Sequence, residues 1–440
     1  MRRLPLLLTT VALCGGLALA ALGTEDGGAP SAAPRGALPA PGAAGADGSP
    51  ERVISATQQR LRQLPGDSSA WARLGGTYVE QARLTSDPSY YPKAEEALRR
   101  SLTLAPEANA DALTGLGALA NARHRFAEAK EFADRAIADS TYHWQAYAVL
   151  ADAQTQLGND TEATAAVQAL LDRRPGTAAF TRAAYDLEQH GQTDRAGQAL
   201  RQALAGAAND ADRAFCLHQL AELEQDSGRP EAAQAGYQRA LDADPQYTPA
   251  LAGRARAEAA LGDTEAALRD YGAAVGRVPL PQYLLELGEL YESLGRTEQA
   301  GQQYGLLAAE HRLAAENGVV DDLALGQYQA DHGDPAEAVR LLRAEWQRRR
   351  SVLVADALGW ALHRQGADRE ALGLAEQARR TGWPNARFRY HQGEIERALG
   401  QRDAARTHLA EALRIDPHFS PLHVPQARAA LDSLGTADGG

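Results

Sequence analysis

Apolar and small residues recur along most of this chain in a fixed order. From Leu217 to Pro245 an apolar residue is followed, three and four positions on, by an apolar and a small one. A glycine break comes next, then an alanine, a large apolar residue, another alanine and a closing proline. The same order runs from Leu251 to Pro279 and from Tyr147 to Pro175, a period of about 34 residues. Apolar spacings of three and four predict helices. Small residues let two helices approach, glycine past a helix end takes a left-handed backbone at little cost, and proline cannot continue the second helix. Each unit is therefore a helical hairpin that buries one side and needs neighbours.

Closing prolines recur at Pro106, Pro175, Pro245, Pro279 and Pro417, and turn glycines at Gly158, Gly191, Gly228, Gly262, Gly295, Gly333, Gly366 and Gly400. Thr141, Ala208, Arg312 and Arg350 stand near where proline is expected. With two further units at the start, the pattern predicts about ten repeats. In LAELEQDSGRPEAAQAGYQRALDADP, Leu220-Ala221 forms the small interhelix contact and Gly228 ends the first helix. Ala233 opens the packing seam, Tyr237 fills it, Ala240 admits the next helix and Pro245 closes the unit. This resembles the tetratricopeptide repeat, which implies an all-α, right-handed α-solenoid. The expected organisation is a signal peptide or membrane anchor (1–22), an Ala/Gly/Pro linker (23–50), an N-terminal capping helix (51–67), the repeat array (68–419), and a C-terminal capping helix and tail (420–440).

One unit departs from the period. TSDPSYYP, Thr85 to Pro92, makes the first repeat seven residues longer than Leu251 to Pro279. It is either an enlarged turn or one extra helical turn followed by a turn at Asp87-Pro88, with Tyr90 and Tyr91 packing beneath the loop or touching a partner.

The resemblance implies a concave groove lined by the first helix of each hairpin. Helical projection turns Asp152, Tyr185, Glu188, His218, Glu222, Arg256, Glu289, Glu292, Trp360, Tyr390 and Glu394 into it. The middle of that groove is acidic with one arginine, and the far end is aromatic. Such a surface suits a protein partner with a basic segment anchored by an apolar or planar side chain near Trp360 and Tyr390. The lysine, asparagine and arginine clamp by which some family members bind chaperone tails is missing, since Ala72 and Gly76 occupy the matching positions. In Thr141 to Tyr147, Tyr147 is a packing position, and burial between hairpins is expected for Tyr142, His143 and Trp144. Arg348-Arg349-Arg350 ends a second helix, where cations favour the dipole.

Composition narrows the function. The formal net charge is −12, which opposes nucleic-acid binding. Leu4 to Leu22, apolar behind Arg2-Arg3, predicts an export signal with a small-x-small site at Ala18-Leu19-Ala20, an uncleaved anchor, or lipidation at Cys14. Each places the array outside the cytoplasm, with membrane attachment if the segment is kept. Cys216 is expected to be a buried small hydrophobe. No spacing of His, Cys or carboxylates matches a metal site, a phosphate loop or a nucleophile elbow, so no catalytic residue, metal or cofactor is expected. The leading expectation is a non-enzymatic scaffold of the cell envelope that binds another protein, or another copy of itself. The alternative is an accessory subunit in cell-envelope polysaccharide assembly or export, binding glycan or a glycan-processing enzyme.

Overall fold

The computed structural model describes residues 49–435. The segment read as signal or anchor (1–22), nearly all of the linker (23–50) and the tail from 436 lie outside the described residues.

The described chain is helical, without strands. Helix α1 (Pro50–Gln63) precedes ten hairpins. Repeats 1 to 5 pair α2 (Ser68–Thr85) with α3 (Tyr90–Leu104), α4 (Ala110–Ala122) with α5 (Phe126–Asp139), α6 (Trp144–Leu157) with α7 (Asp160–Arg173), α8 (Thr177–Gln189) with α9 (Thr193–Ala205), and α10 (Asp210–Asp226) with α11 (Pro230–Ala243). Repeats 6 to 10 pair α12 (Thr248–Ala260) with α13 (Thr264–Arg277), α14 (Pro281–Ser293) with α15 (Thr297–Glu316), α16 (Leu323–His332) with α17 (Pro335–Arg348), α18 (Val352–Arg364) with α19 (Asp368–Ala378), and α20 (Ala386–Ala398) with α21 (Arg402–Ile415). Helix α22 (His423–Gly435) follows. Ala221, Ala233, Tyr237 and Ala240 are buried as the pattern requires, and Gly228 has φ 69°. Tyr237 fills the space beside the next repeat so closely that a Cβ at Gly253 would overlap its ring. Turn glycines share the left-handed φ except Gly333, at −129°.

The first repeat resolves its extra length by the second route. Helix α2 runs on to Thr85, Ser86 takes φ 52°, and the Asp87 amide donates to the Ala82 carbonyl. Tyr91 is buried and Tyr90 packs 5.9 Å from Tyr78. The extension carries Arg83 into electrostatic reach of Asp212 and Tyr247, across the coil. A second long element was not expected. Helix α15 overruns the junction at Arg312, and the irregular 317–322 segment that follows is part of a long-range contact.

The array coils tightly enough to touch itself. The Val320 amide donates to the Arg123 carbonyl, and His124 lies 3.6 Å from Asp321. Arg380 donates to both Asp160 carboxylate oxygens and to the Gly158 carbonyl. A Cβ at Gly191 would stand 2.8 Å from the Gly382 carbonyl oxygen, and one at Gly228 would stand 2.7 Å from that of Ile415. The turns of repeats 2, 3, 4 and 5 thus rest on the connections that follow repeats 7, 8, 9 and 10.

At the centre of this seam Arg349 is 1% exposed. It pairs with Glu345 at 2.5 Å and Asp321 at 3.0 Å, donates to Gln156 at 3.1 Å, and lies over the Phe126 ring. The arginine run therefore does more than favour a helix dipole. Arg348 ends α17 and pairs with Asp322 and Glu345, Arg350 covers Trp346, and Arg349 fastens one coil to the next.

Two glycines separate backbone strain from this contact. Gly366 (φ 86°) has open space where a Cβ would go, whereas at Gly158 (φ 75°) a Cβ would overlap the Arg350 carbonyl. Gly366→Ala is expected to cost about 1–2 kcal/mol from the left-handed backbone. Gly158→Ala should cost about 1–3 kcal/mol more, because the seam must part. Urea unfolding of the two variants measures the difference, and equal losses would remove the seam as a source of stability.

A polar cavity on the coil axis

Closure of the coil changes what the first helices face. Trp383, on the connection after repeat 9, packs edge-on against Tyr185 at 6.2 Å and lies beside Glu188. Asp152 is buried in a two-pronged pair with Arg182, at 2.8 and 2.7 Å. Burial lifts the Asp152 carboxyl above its ordinary range despite that partner. Burial, with Asp226 and Glu222 beside it, lifts Glu188 further. Repeats 3 and 4 therefore present no open groove.

From repeat 5 onward the same face carries a chain of internal pairs. Tyr237 donates to Glu222 at 2.5 Å; Arg256 holds that carboxylate at 3.2 and 3.3 Å, and His218 lies 3.3 Å away. Tyr271 donates to Glu286 and Tyr304 to Glu292, so large residues of the second helices that fill the seam also anchor carboxylates of the first helices. His332 meets Glu292 at 2.9 Å and Glu289 at 3.7 Å. Burial opposes charge on that imidazole, but the two glutamates outweigh it and raise its pKa.

The aromatic end is corrected most. Trp360 and Tyr390 are 4% and 1% exposed, not anchors facing solvent. Trp360 stacks on His391 at 4.3 Å and donates its indole N–H to Asp331 at 2.8 Å. Tyr390 stacks on His423 at 4.9 Å and donates to Gln426 in α22. Glu394 is buried beside Arg397. Consecutive first helices pack so closely in a tight coil that their inward positions meet one another, and α22 covers the last of them. The expectation for Tyr142 fails in the opposite direction, since it is 88% exposed, while His143 and Trp144 are half-buried.

What remains open is a cavity of about 220 Å³ on the coil axis. First helices of repeats 5 to 10 ring it, and the contact of Gly228 with Ile415 closes the ring. Asp226, Glu286, Glu289, Asp356 and Asp416 line it against two guanidiniums, Arg256 and Arg387, over apolar ground that includes Phe388 and Phe419. Asp356 meets His391 at 2.9 Å, an imidazole whose charged form burial disfavours. Burial first, then the Glu222 charge, push Asp226 up to about 7, and burial also raises Asp416. The lining is thus short of positive charge. Of the projected residues, Arg256 and Glu289 reach the cavity, with Glu222 holding Arg256. Asp226, Glu286, Arg387 and Asp416 were missed, because their convergence depends on the curvature of the coil. Among the described residues no group of His, Cys, Asp and Glu has the arrangement of a metal site. Cys216 is buried, and burial raises its thiol to about 12.

A solenoid of ten helical hairpins with a polar axial cavity is a repeat scaffold in architecture. Its repeats are tetratricopeptide repeats where family models described by that name match them, at residues 218–268, 252–317 and 386–419. A segment of 287 residues, 58% of this chain, is 28% identical to cellulose synthase operon protein C of Xanthomonas axonopodis pv. citri (strain 306). The chain spans about one fifth of that relative, 19% of its length. Among solved structures, the human IFIT1 dimer with PPP-AAAA is 15% identical, with 82% of this chain and 85% of that one covered and a TM-score of 0.45. A tetratricopeptide repeat protein from Parabacteroides merdae ATCC 43184 is 19% identical, with 59% and 99% covered and a TM-score of 0.35.

Proposed function

We propose that this protein is a non-enzymatic docking scaffold of the cell envelope, outside the cytoplasm, whose axial cavity receives a basic side chain from a flexible segment of a protein partner. The observation that carries the reading is the excess of carboxylates around that cavity, with Asp226 held near neutrality by burial and by Glu222. An α-helix is about 10–12 Å across with its side chains, so a cavity of about 220 Å³ suits one long side chain and not a docked helix. A guanidinium or ammonium would face Glu286 and Glu289 while its stem lies on Phe419. Photo-crosslinkers placed at Gln327 and Gln282, on the cavity wall, and at Gln238, on an exposed face, test this in full-length protein in its own cells. The expected product is a partner peptide rich in Lys or Arg joined at the wall sites alone; equal yield from Gln238 would defeat the reading. N-terminal sequencing of the same preparation tests export and cleavage.

The pH dependence has a definite sign. Asp226 binds its proton more tightly in the fold than in the unfolded chain, so its contribution to stability falls as pH rises from about 4 to about 7. A bound cation favours the ionised form and releases that proton. Affinity for a basic peptide is therefore expected to rise between pH 6 and pH 8, following the pKa of about 7. Asp226→Asn should flatten the profile, measured by calorimetry in buffers of differing ionisation enthalpy; an unchanged slope in that variant would exclude Asp226 as the titrating group.

The similarity to cellulose synthase operon protein C supports a second reading, an accessory role in cell-envelope polysaccharide assembly or export. Phe419, half-buried at the cavity, is then the ring on which a sugar would stack. Titration with soluble cello-oligosaccharides, with Phe419→Ala as the control, separates the two; saturable binding lost in that variant would favour glycan.

A further inference from the structure

The seam inside the molecule also defines an unused surface outside it. The turns of repeats 2, 3 and 5 are buried or half-buried beneath the second coil, around Arg123, Gly158 and Gly228. The matching turns of repeats 6, 7, 9 and 10 have nothing over them: Gly262, Gly295, Gly366 and Gly400 each have open space at the Cβ position. They expose Leu261 (38%) and Leu294 (39%), whereas Leu157, at the corresponding place in repeat 3, is only half-exposed. The opposite edge is unused in the first coil. Connections after repeats 7 to 10 are seated on turns, whereas those at the start of the array expose Leu64, Pro106, Tyr142 and Pro175.

These two edges are the two sides of a contact the molecule already makes, displaced by one coil. The ends of the array do not offer another route. Helices α1 and α22 turn polar residues outward, including Gln58 and Gln59 at one end and Arg428 and Asp432 at the other, as terminal caps do. Charge favours the same pairing. Within the molecule, Arg380 after a second helix meets Asp160 at the head of another. On the open turn edge Asp263, Glu265 and Glu298 stand at helix heads, with Arg296 paired to Glu265, and on the open connection edge Arg173 stands at a helix end.

We propose that a second copy of this chain seats the connection edge of its first coil on the open turn edge of repeats 6 to 10, continuing the superhelix head to tail. Such a contact joins unlike surfaces and displaces each copy along the superhelix, so it does not close into a ring and grows into open-ended assemblies. It leaves the axial cavity clear and is independent of what the cavity holds.

Sedimentation velocity of the full-length protein from micromolar to millimolar concentration tests this. The expected result is a sedimentation coefficient that climbs with concentration without a plateau and falls back with added salt. Two variants locate the contact: Leu261→Glu with Leu294→Glu on the turn edge, and Leu64→Glu with Tyr142→Glu on the connection edge. All four side chains are exposed, so the fold is kept, which circular dichroism verifies. Each variant alone is expected to stay monomeric. Mixed, they form a one-to-one pair that grows no further, since each retains the edge the other lacks. Wild-type protein that remains monomeric, variants that associate like wild type, or a mixture that fails to pair would each overturn the proposal; all share one N-terminus, so differences report the edges.

Discussion

Arg349→Ala is expected to destabilise the array by about 3–5 kcal/mol, the usual effect of removing one member of a buried ion pair. Glu345 is buried with it and Asp321 is nearly so, and neither can reach water without opening the seam. The loss of the Gln156 contact also loosens the hold of repeat 3 on the end of repeat 8. Two readouts are expected to move together: the urea midpoint falls, and small-angle scattering shows a larger radius of gyration at low denaturant. Arg349→Lys keeps the charge but not the planar fork that reaches two carboxylates, and should recover only part of the loss. If both variants unfold like wild type, the seam is not a source of stability. Acid should act on the same place. Burial works against charge on Asp321, yet His124 and Arg349 hold its pKa below the ordinary carboxylate value. Its contribution is present above the unfolded pKa of 3.8 and is lost as pH falls through the lower folded value, so the coil should open in acid below that unfolded value.

The repeats were legible in the sequence because each is local. Ala233 and Tyr237 meet partners within one hairpin or its neighbour, and helical period plus residue size suffices to place them. The cavity and the seam were not legible for the same reason. Gln156 and Arg349 are 193 positions apart, and their meeting depends on small rotations summed over five repeats. The sequence did carry two signals of it: three arginines where a closing proline belongs, and an aspartate pair, Asp321-Asp322, in a stretch without repeat pattern. A buried guanidinium needs carboxylates, and the irregular segment supplies them. Inward-facing residues were identified by position, but a helical projection cannot distinguish an open groove from one filled by the next coil. That is why Tyr185 and Glu188 were projected onto a free surface and are found against Trp383.

Trp360 decides between an anchor for a partner and a keystone of the fold. Trp360→Ala is expected to cost about 3–5 kcal/mol, the range for emptying a buried tryptophan site. The stacked His391 ring loses its partner, and Asp331 loses the indole donor while His423, 3.6 Å away, stays beside it. Tyr142→Ala, at an exposed connection, should change stability by less than about 0.5 kcal/mol in monomeric protein. A loss of binding in Trp360→Ala would therefore report unfolding of the last repeats, and it carries no information about stacking on a ligand. Thermal unfolding followed by near-ultraviolet circular dichroism separates the cases: an early melt of the aromatic signal marks a structural residue. A variant as stable as wild type that no longer bound its partner would restore Trp360 as an anchor. The buried stack of Trp360, His391, Tyr390 and His423 makes the first outcome the expected one, since that side chain already has partners on α16, α20 and α22.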